Sequence, residues 1–265
     1  MRLIKPQSDG IAASLRRVRL VAQHTMREGL RLKLALLLAL AGAVLILAAL
    51  ALREFNFGTA ELRFIADFGL GAIGLFGTLL AALATAQLFF NATAEGTAGC
   101  VLSRPVRRWE YVGGQFAAMA GLLAIFTASL GCVLAGLLTW RGAQLGTAPP
   151  SLSVMACAGA VLWLKATLVA AMTLLFCSYA GSALFASGAG LLLATVAQLR
   201  PFAPGAGGLA WLRVWPNLAL FDAGPLLASA QPPAGGVLLS LAAYWAAYVV
   251  LFNGLAAYAF KHREF

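Results

Sequence analysis

The sequence predicts an all-α polytopic membrane protein: six transmembrane helices, an N-terminal interfacial amphipathic helix and a short cytoplasmic helix between spans two and three. Three observations predict it. Hydrophobic residues fill 62% of the 265 positions and charged residues only 11%, with a mean hydropathy of +0.87, whereas soluble domains carry about 25% charge. Several apolar runs reach the roughly 20 residues that a hydrocarbon core requires. The cations are also sorted by side. Of the 19 Lys and Arg, eight precede the first run, three sit in the first connecting loop (Arg104, Arg107, Arg108) and two in the tail (Lys261, Arg263). Only five (Arg53, Arg63, Arg141, Arg200, Arg213) fall on the opposite side, and Lys165 lies inside a run. This is the positive-inside pattern. The net charge of +10 therefore reports topology and gives no support for a nucleic-acid partner.

The amino terminus begins the ordered reading. A secretory signal has a short charged region, a 7–15-residue core and a small-residue cleavage site; here about 33 basic and polar residues precede a long apolar run that ends in Arg53-Glu54. The segment is expected to stay on the mature protein. Ile11, Leu15, Val18, Ala22 and Met26 recur at helical spacing, while Arg16, Arg17, Arg19 and Arg27 fall elsewhere on the wheel. That pattern predicts an amphipathic helix in the cytoplasmic interface, with a basic tail that merely sets orientation as the alternative.

The spans follow as 34–52, 68–90, 116–138, 152–176, 183–199 and 237–260, within one membrane domain over 1–265 whose residues 1–33 and 261–265 are cytoplasmic. The charge-free run over 166–199 is too long for one helix, and Ser178-Tyr179-Ala180-Gly181-Ser182 supplies small and polar residues for a turn. Splitting there makes the number of spans even and returns the basic tail to the basic side. The loop over 91–116 is the one strongly basic stretch between two apolar segments. Pro105 lacks an N–H and disfavours helix at the preceding residue, so a short helix ends near Ser103 and a new one begins beyond. Arg107 and Arg108 ahead of Trp109 and Tyr111 have the composition of a membrane boundary. Gly113-Gly114 and Gly207-Gly208 read as turn or boundary residues.

Six of the ten prolines lie between residues 200 and 236, which excludes a continuous helix there. Trp211, Arg213 and Trp215 suit the outer membrane interface, so this extracytoplasmic loop is either an anchor or a lid over a substrate path.

Residues for catalysis are sparse. His24 and His262 have no carboxylate or cysteine at ligand spacing, the four cysteines are scattered without a CxxC pair, and no GxxxxGK[ST] phosphate loop occurs. No enzyme, cofactor or metal site is expected in this chain. Lys165 is the exception to an uncharged interior. A charge at mid-membrane costs at least ~2.5–3.5 kcal/mol, so it is either paired and functional or it snorkels. Asp67, at the start of span two, is a possible partner if the two helices pack at matching depth.

Several segments together resemble a known family. They are Thr25-Met26-Arg27-Glu28-Gly29-Leu30-Arg31, the loop pattern Glu95, Thr97, Val101-Leu102-Ser103-Arg104-Pro105-Val106-Arg107-Arg108, Pro216-Asn217-Leu218 with Phe221-Asp222, and the terminal Phe260-Lys261-His262-Arg263-Glu264-Phe265. The chain is similar to the type-2 ATP-binding-cassette (ABC) permeases, and within them to the group that includes the permease of the nitrous oxide reductase maturation system. The resemblance covers nearly the whole chain, and residues 102–108 are its most specific piece. It implies the transmembrane subunit of an ABC transporter in a bacterial inner membrane, paired with a second permease copy and surrounded by lipid. ATP and Mg would be bound by a separate cytoplasmic ATPase subunit. Residues 91–103 would be the coupling helix, with Glu95, Thr97, Val101, Leu102, Ser103, Arg104 and Pro105 at the ATPase contact. The N-terminal amphipathic segment would be the connecting helix and 209–222 an outer re-entrant element. Two other classes share the topology: a secondary transporter, which needs coupling groups at mid-membrane, and an assembly or anchoring factor that transports nothing.

Overall fold

A computed structural model describes residues 11–51, 61–94, 108–202, 215–229, 233 and 235–261, and every regular element among them is helical. The first is α1 (Ile11–Arg31), which is amphipathic as its spacing predicts. Its inward face, formed by Val18, Val21, Thr25 and Gly29, is covered, while Arg16, Arg19, Arg27 and Arg31 are exposed. Leu32 takes an extended conformation and breaks the helix, and α2 (Lys33–Ala48) departs at a 59° bend.

Four helices are long and apolar enough to cross a membrane, and the bent α1–α2 pair raises that number to five. The four are contained in α3 (Glu61–Ala94), α4 (Arg108–Leu145), α5 (Leu152–Tyr179) and α8 (Gly235–Lys261). The two shorter apolar helices are α2 with 16 residues and α6 (Ala183–Leu199) with 17. At 1.5 Å per residue these rise only ~24–26 Å, against a hydrocarbon core of ~30 Å. Between α6 and α8 lie a 3-10 turn at Leu218–Phe221 and the single-turn α7 (Gly224–Ser229).

Boundaries follow local chemistry. The expected turn between spans four and five is present: α5 ends at Tyr179, and α6 starts where the Ser182 hydroxyl accepts from Phe185 N at 3.3 Å, a side-chain N-cap. Helix α3 starts seven residues before the expected span, with Glu61 in its first turn, where a carboxylate favours the helix dipole. It also continues through residues 91–94, so the first four residues assigned to the coupling loop belong to α3. One expectation is overturned. Gly113 and Gly114 mark no turn but lie inside α4. A Cβ at Gly114 would stand 2.7 Å from Val21 Cβ and 3.1 Å from the Val18 carbonyl oxygen, so its bare backbone is what lets α1 approach.

At the centre stands α5, packed on α3, α4, α6 and α8 and buried at every position from Ala166 to Leu174. Lipid tails are as apolar as leucine, so association of such helices rests on close packing and hydrogen bonds between them. Gly190 of α6 lies so near Thr173 of α5 that any side chain there would collide with it. Trp163 Nε1 donates to the Ala120 carbonyl of α4 at 2.9 Å, and Trp245 Nε1 of α8 donates to Thr167 Oγ1 at 2.9 Å. By contrast, few residues of α8 are fully buried.

Candidate functional site

Lys165 stands near the middle of α5, about 20 Å along the helix from Leu152. Its ammonium is engaged within the bundle. Nζ donates to Asp222 Oδ1 at 2.7 Å, and the lysine side chain is only 12% exposed. The partner is therefore Asp222 and not Asp67. The described part of the Pro-rich connection, residues 215–229, folds against the bundle and carries the carboxylate to Lys165. Pro216 precedes the turn, and the Asn217 side chain caps it, Oδ1 accepting from Ala219 N at 3.2 Å while Asn217 N donates to Tyr244 Oη at 2.8 Å. Leu218 and Phe221 are buried in the core. Asp222 follows directly and is held from a third element, α6, where Gln198 Nε2 donates to Oδ2 at 2.8 Å and Oδ1 at 3.1 Å.

These groups line a cavity of about 460 Å³ between α3, α5, α6 and the inward turn. Asp67 belongs to it from α3, on the helical face it shares with Gly71, Gly74 and Thr78. Arg63, one turn earlier, places Nε 3.9 Å from Asp67 Oδ2. The walls are otherwise mainly leucine and glycine. An apolar enclosure with a few convergent charged and hydrogen-bonding groups is the usual form of a small-molecule site. Ionisable groups inside a membrane bundle point the same way.

A second cluster lies at the start of α4. Glu110 is fully buried. Its Oε1 accepts from Ser14 Oγ at 2.6 Å and from Arg17 Nη2 at 3.2 Å, and its Oε2 accepts from Arg17 Nε at 3.1 Å. The fork geometry is the strong form of an Arg–carboxylate pair. Arg17, placed by its spacing on the charged outer face, instead turns inward, because a buried carboxylate requires a cation and its own hydrogen bonds. From Ser14 beside Glu110 to Met26 beside Gly121, α1 runs along the first turns of α4.

Other expected site residues are placed as follows. Trp109 lies in the first turn of α4 and is half exposed. Arg108 begins the same helix. Trp215 stacks on Phe252 of α8 at 6.2 Å between ring centres, and its carbonyl accepts from Arg200 Nη1 at 2.9 Å, so it anchors the inward turn to the bundle. Glu95, Thr97, Val101, Leu102, Ser103, Arg104, Pro105, Arg107 and Trp211 lie outside the described residues. Sequence reasoning missed the Arg17–Glu110 clamp and the role of Gln198. A signal for the clamp existed in Glu110 itself, a lone carboxylate between two boundary aromatics; Gln198 offered none.

The chain matches no protein-family model and no curated protein.

Proposed function

We propose that this chain is the transmembrane permease subunit of an ABC transporter, working as a pair of six-span subunits with both termini cytoplasmic and exporting its substrate from the cytoplasm. The ATP is held and hydrolysed by a separate cytoplasmic subunit. One observation carries the reading: the basic helix α1 is clamped to the root of α4 by the buried Arg17–Glu110 fork and the bare backbone of Gly114. Residues 95–107 connect α3 to that same root. A push on this connection by an ATPase reaches α1 and α4 as one body, and the bend at Leu32 then passes it to α2. An inward turn between a short α6 and α8 is in keeping with the outer re-entrant element that the family resemblance implies. In this arrangement α2 and α6 complete the six crossings by local thinning of the bilayer and by flanking cations such as Lys33 and Arg200 that reach the headgroups. Reconstitution of the chain with its copurified ATPase in liposomes tests the proposal: ATP turnover that depends on this chain, and loss of that turnover in Glu110→Ala, are the expected results.

The Lys165–Asp222 pair favours a second reading. Paired ionisable groups at mid-membrane are what a secondary transporter couples to an ion gradient. Proton- or sodium-driven uptake by liposomes containing this chain alone would establish that reading over the first.

A further inference from the structure

The cavity around Asp67 and Asp222 shows a chemical asymmetry that bears on what enters it. Among its described lining groups are two carboxylates and one ammonium, a formal charge of −1. Lys165 is turned onto Asp222 at 2.7 Å and is nearly buried, whereas the Asp222 side chain remains 41% exposed and Asp67 43%. The neutral groups have already committed their donors. The Thr78 hydroxyl donates to the Leu75 carbonyl at 2.8 Å, the Thr195 hydroxyl to the Leu191 carbonyl at 2.9 Å, and the Gln198 amide to Asp222. What the two hydroxyls still present is acceptor oxygen. Gln198 Oε1 is buried and closed to the cavity, so this residue acts on the site through its hold on Asp222. Arg63, the only cation within ion-pair reach of Asp67 among the described residues, lies at 3.9 Å on an exposed helix face and does not line the cavity.

We infer that this cavity binds an amphipathic cation: an ammonium with N–H donors received by Asp67 and the free lone pairs of Asp222, carrying an apolar body against Leu70, Leu75 and Leu191. The low dielectric of the walls strengthens the attraction between ammonium and carboxylate. The Lys165–Asp222 bond fixes the inner charge and disfavours a second cation there, so the site takes one positive charge per molecule. An anion meets Asp67 and the exposed side of Asp222 and is repelled. The inference names a substrate class for the transporter proposed above and rests on that reading for its physiological meaning, but not for its test.

Binding is measured on the full chain in nanodiscs, with no nucleotide and no ATPase, by isothermal titration against empty nanodiscs. The probes are 2-phenylethylamine, 3-phenylpropanoate and 2-phenylethanol, which share an aromatic body and differ in the charge of the head. Expected is saturable binding of the amine alone, about one molecule per chain. Asp67→Asn raises its Kd about tenfold or more and Asp67→Glu restores most of the affinity, in line with the strength of hydrogen bonds to charged groups. Equal or tighter binding of the carboxylate, or an unchanged amine Kd in Asp67→Asn, overturns the assignment. Because no ATPase is present, such a failure leaves the permease reading standing; loss of ATPase coupling with intact amine binding does the reverse.

Discussion

Lys165 and Asp222 are unequal partners, and the inequality sets the order of their mutational effects. Removing Asp222 strands an ammonium that is 12% exposed, while removing Lys165 leaves a carboxylate 41% exposed and still bonded to Gln198. Breaking a fully buried pair costs about 3–5 kcal/mol, and the exposure of Asp222 reduces this to roughly 1–3 kcal/mol. Asp222→Ala should therefore destabilise the detergent-solubilised protein more than Lys165→Met, and the double variant should lose less than the sum of the two. Additive losses in such a cycle would show that the two groups do not interact. If Lys165→Met leaves substrate-stimulated ATP hydrolysis and transport unchanged, the pair is structural and has no role in transport. At the other end, Glu110 has no exposure and Arg17 has 20%. Arg17→Ala abandons a buried carboxylate and should cost about 3 kcal/mol or more. Glu110→Gln keeps an acceptor for Ser14 and leaves an arginine able to reach water, so thermal unfolding should rank it the milder change; the opposite order would mean that Glu110 is not the desolvated partner.

Among the elements, α1 and α6 depend on positions without a side chain. Gly114→Val sets methyl groups against Val21 and the Val18 carbonyl, already 2.7 and 3.1 Å from a bare Cβ. Overpacking of this kind costs about 1–3 kcal/mol. The expected result is detachment of α1 from α4, read as protease cleavage within 11–31 at concentrations that leave the wild type whole. Unchanged resistance would show that α1 is held by other contacts. How far the elements were legible follows from the same physics. Helix α6 was found at its exact ends because Ser182 and Arg200 bracket a charge-free, mainly apolar run, and the helical character of α1 followed from its apolar period. The ends of α3 and α4 were not legible, since Glu61 and Arg141 prolong the helices past the apolar window and pair with each other at 2.8 Å, a contact between residues far apart in the chain. Gly113-Gly114 looked like a turn because glycine signals both turns and close helix approach, and only the partner helix distinguishes the two. The site was half legible. A lysine inside an apolar run announces itself, but its counter-ion arrives from a proline-rich loop that composition places outside the membrane.

For the whole molecule, charge asymmetry predicts one basic side and one opposite side. Single cysteines placed at Ser103, Thr147 and Gln231, in a background with the four native cysteines replaced, should react with an impermeant maleimide from the cytoplasmic side for the first and from the outside for the other two. Labelling of Ser103 from outside would invert the topology and remove the ATPase contact with it.

The central claim is that force from a separate ATPase enters through the connection between α3 and α4. The permease reading, in which the nucleotide is held by another subunit, requires such a contact, and Glu95, the residue that follows α3 in sequence, is the carboxylate proposed for it. The most direct measurement is the amount and ATP turnover of the nucleotide-binding subunit that copurifies with affinity-tagged chain from its own membranes, for wild type and Glu95→Lys side by side. The account predicts an ATPase retained by the wild type, and at least a several-fold loss of bound ATPase and turnover in Glu95→Lys while membrane insertion and cysteine topology stay normal. Recovery of no ATPase with the wild type, or of the same amount and turnover with Glu95→Lys, would contradict it.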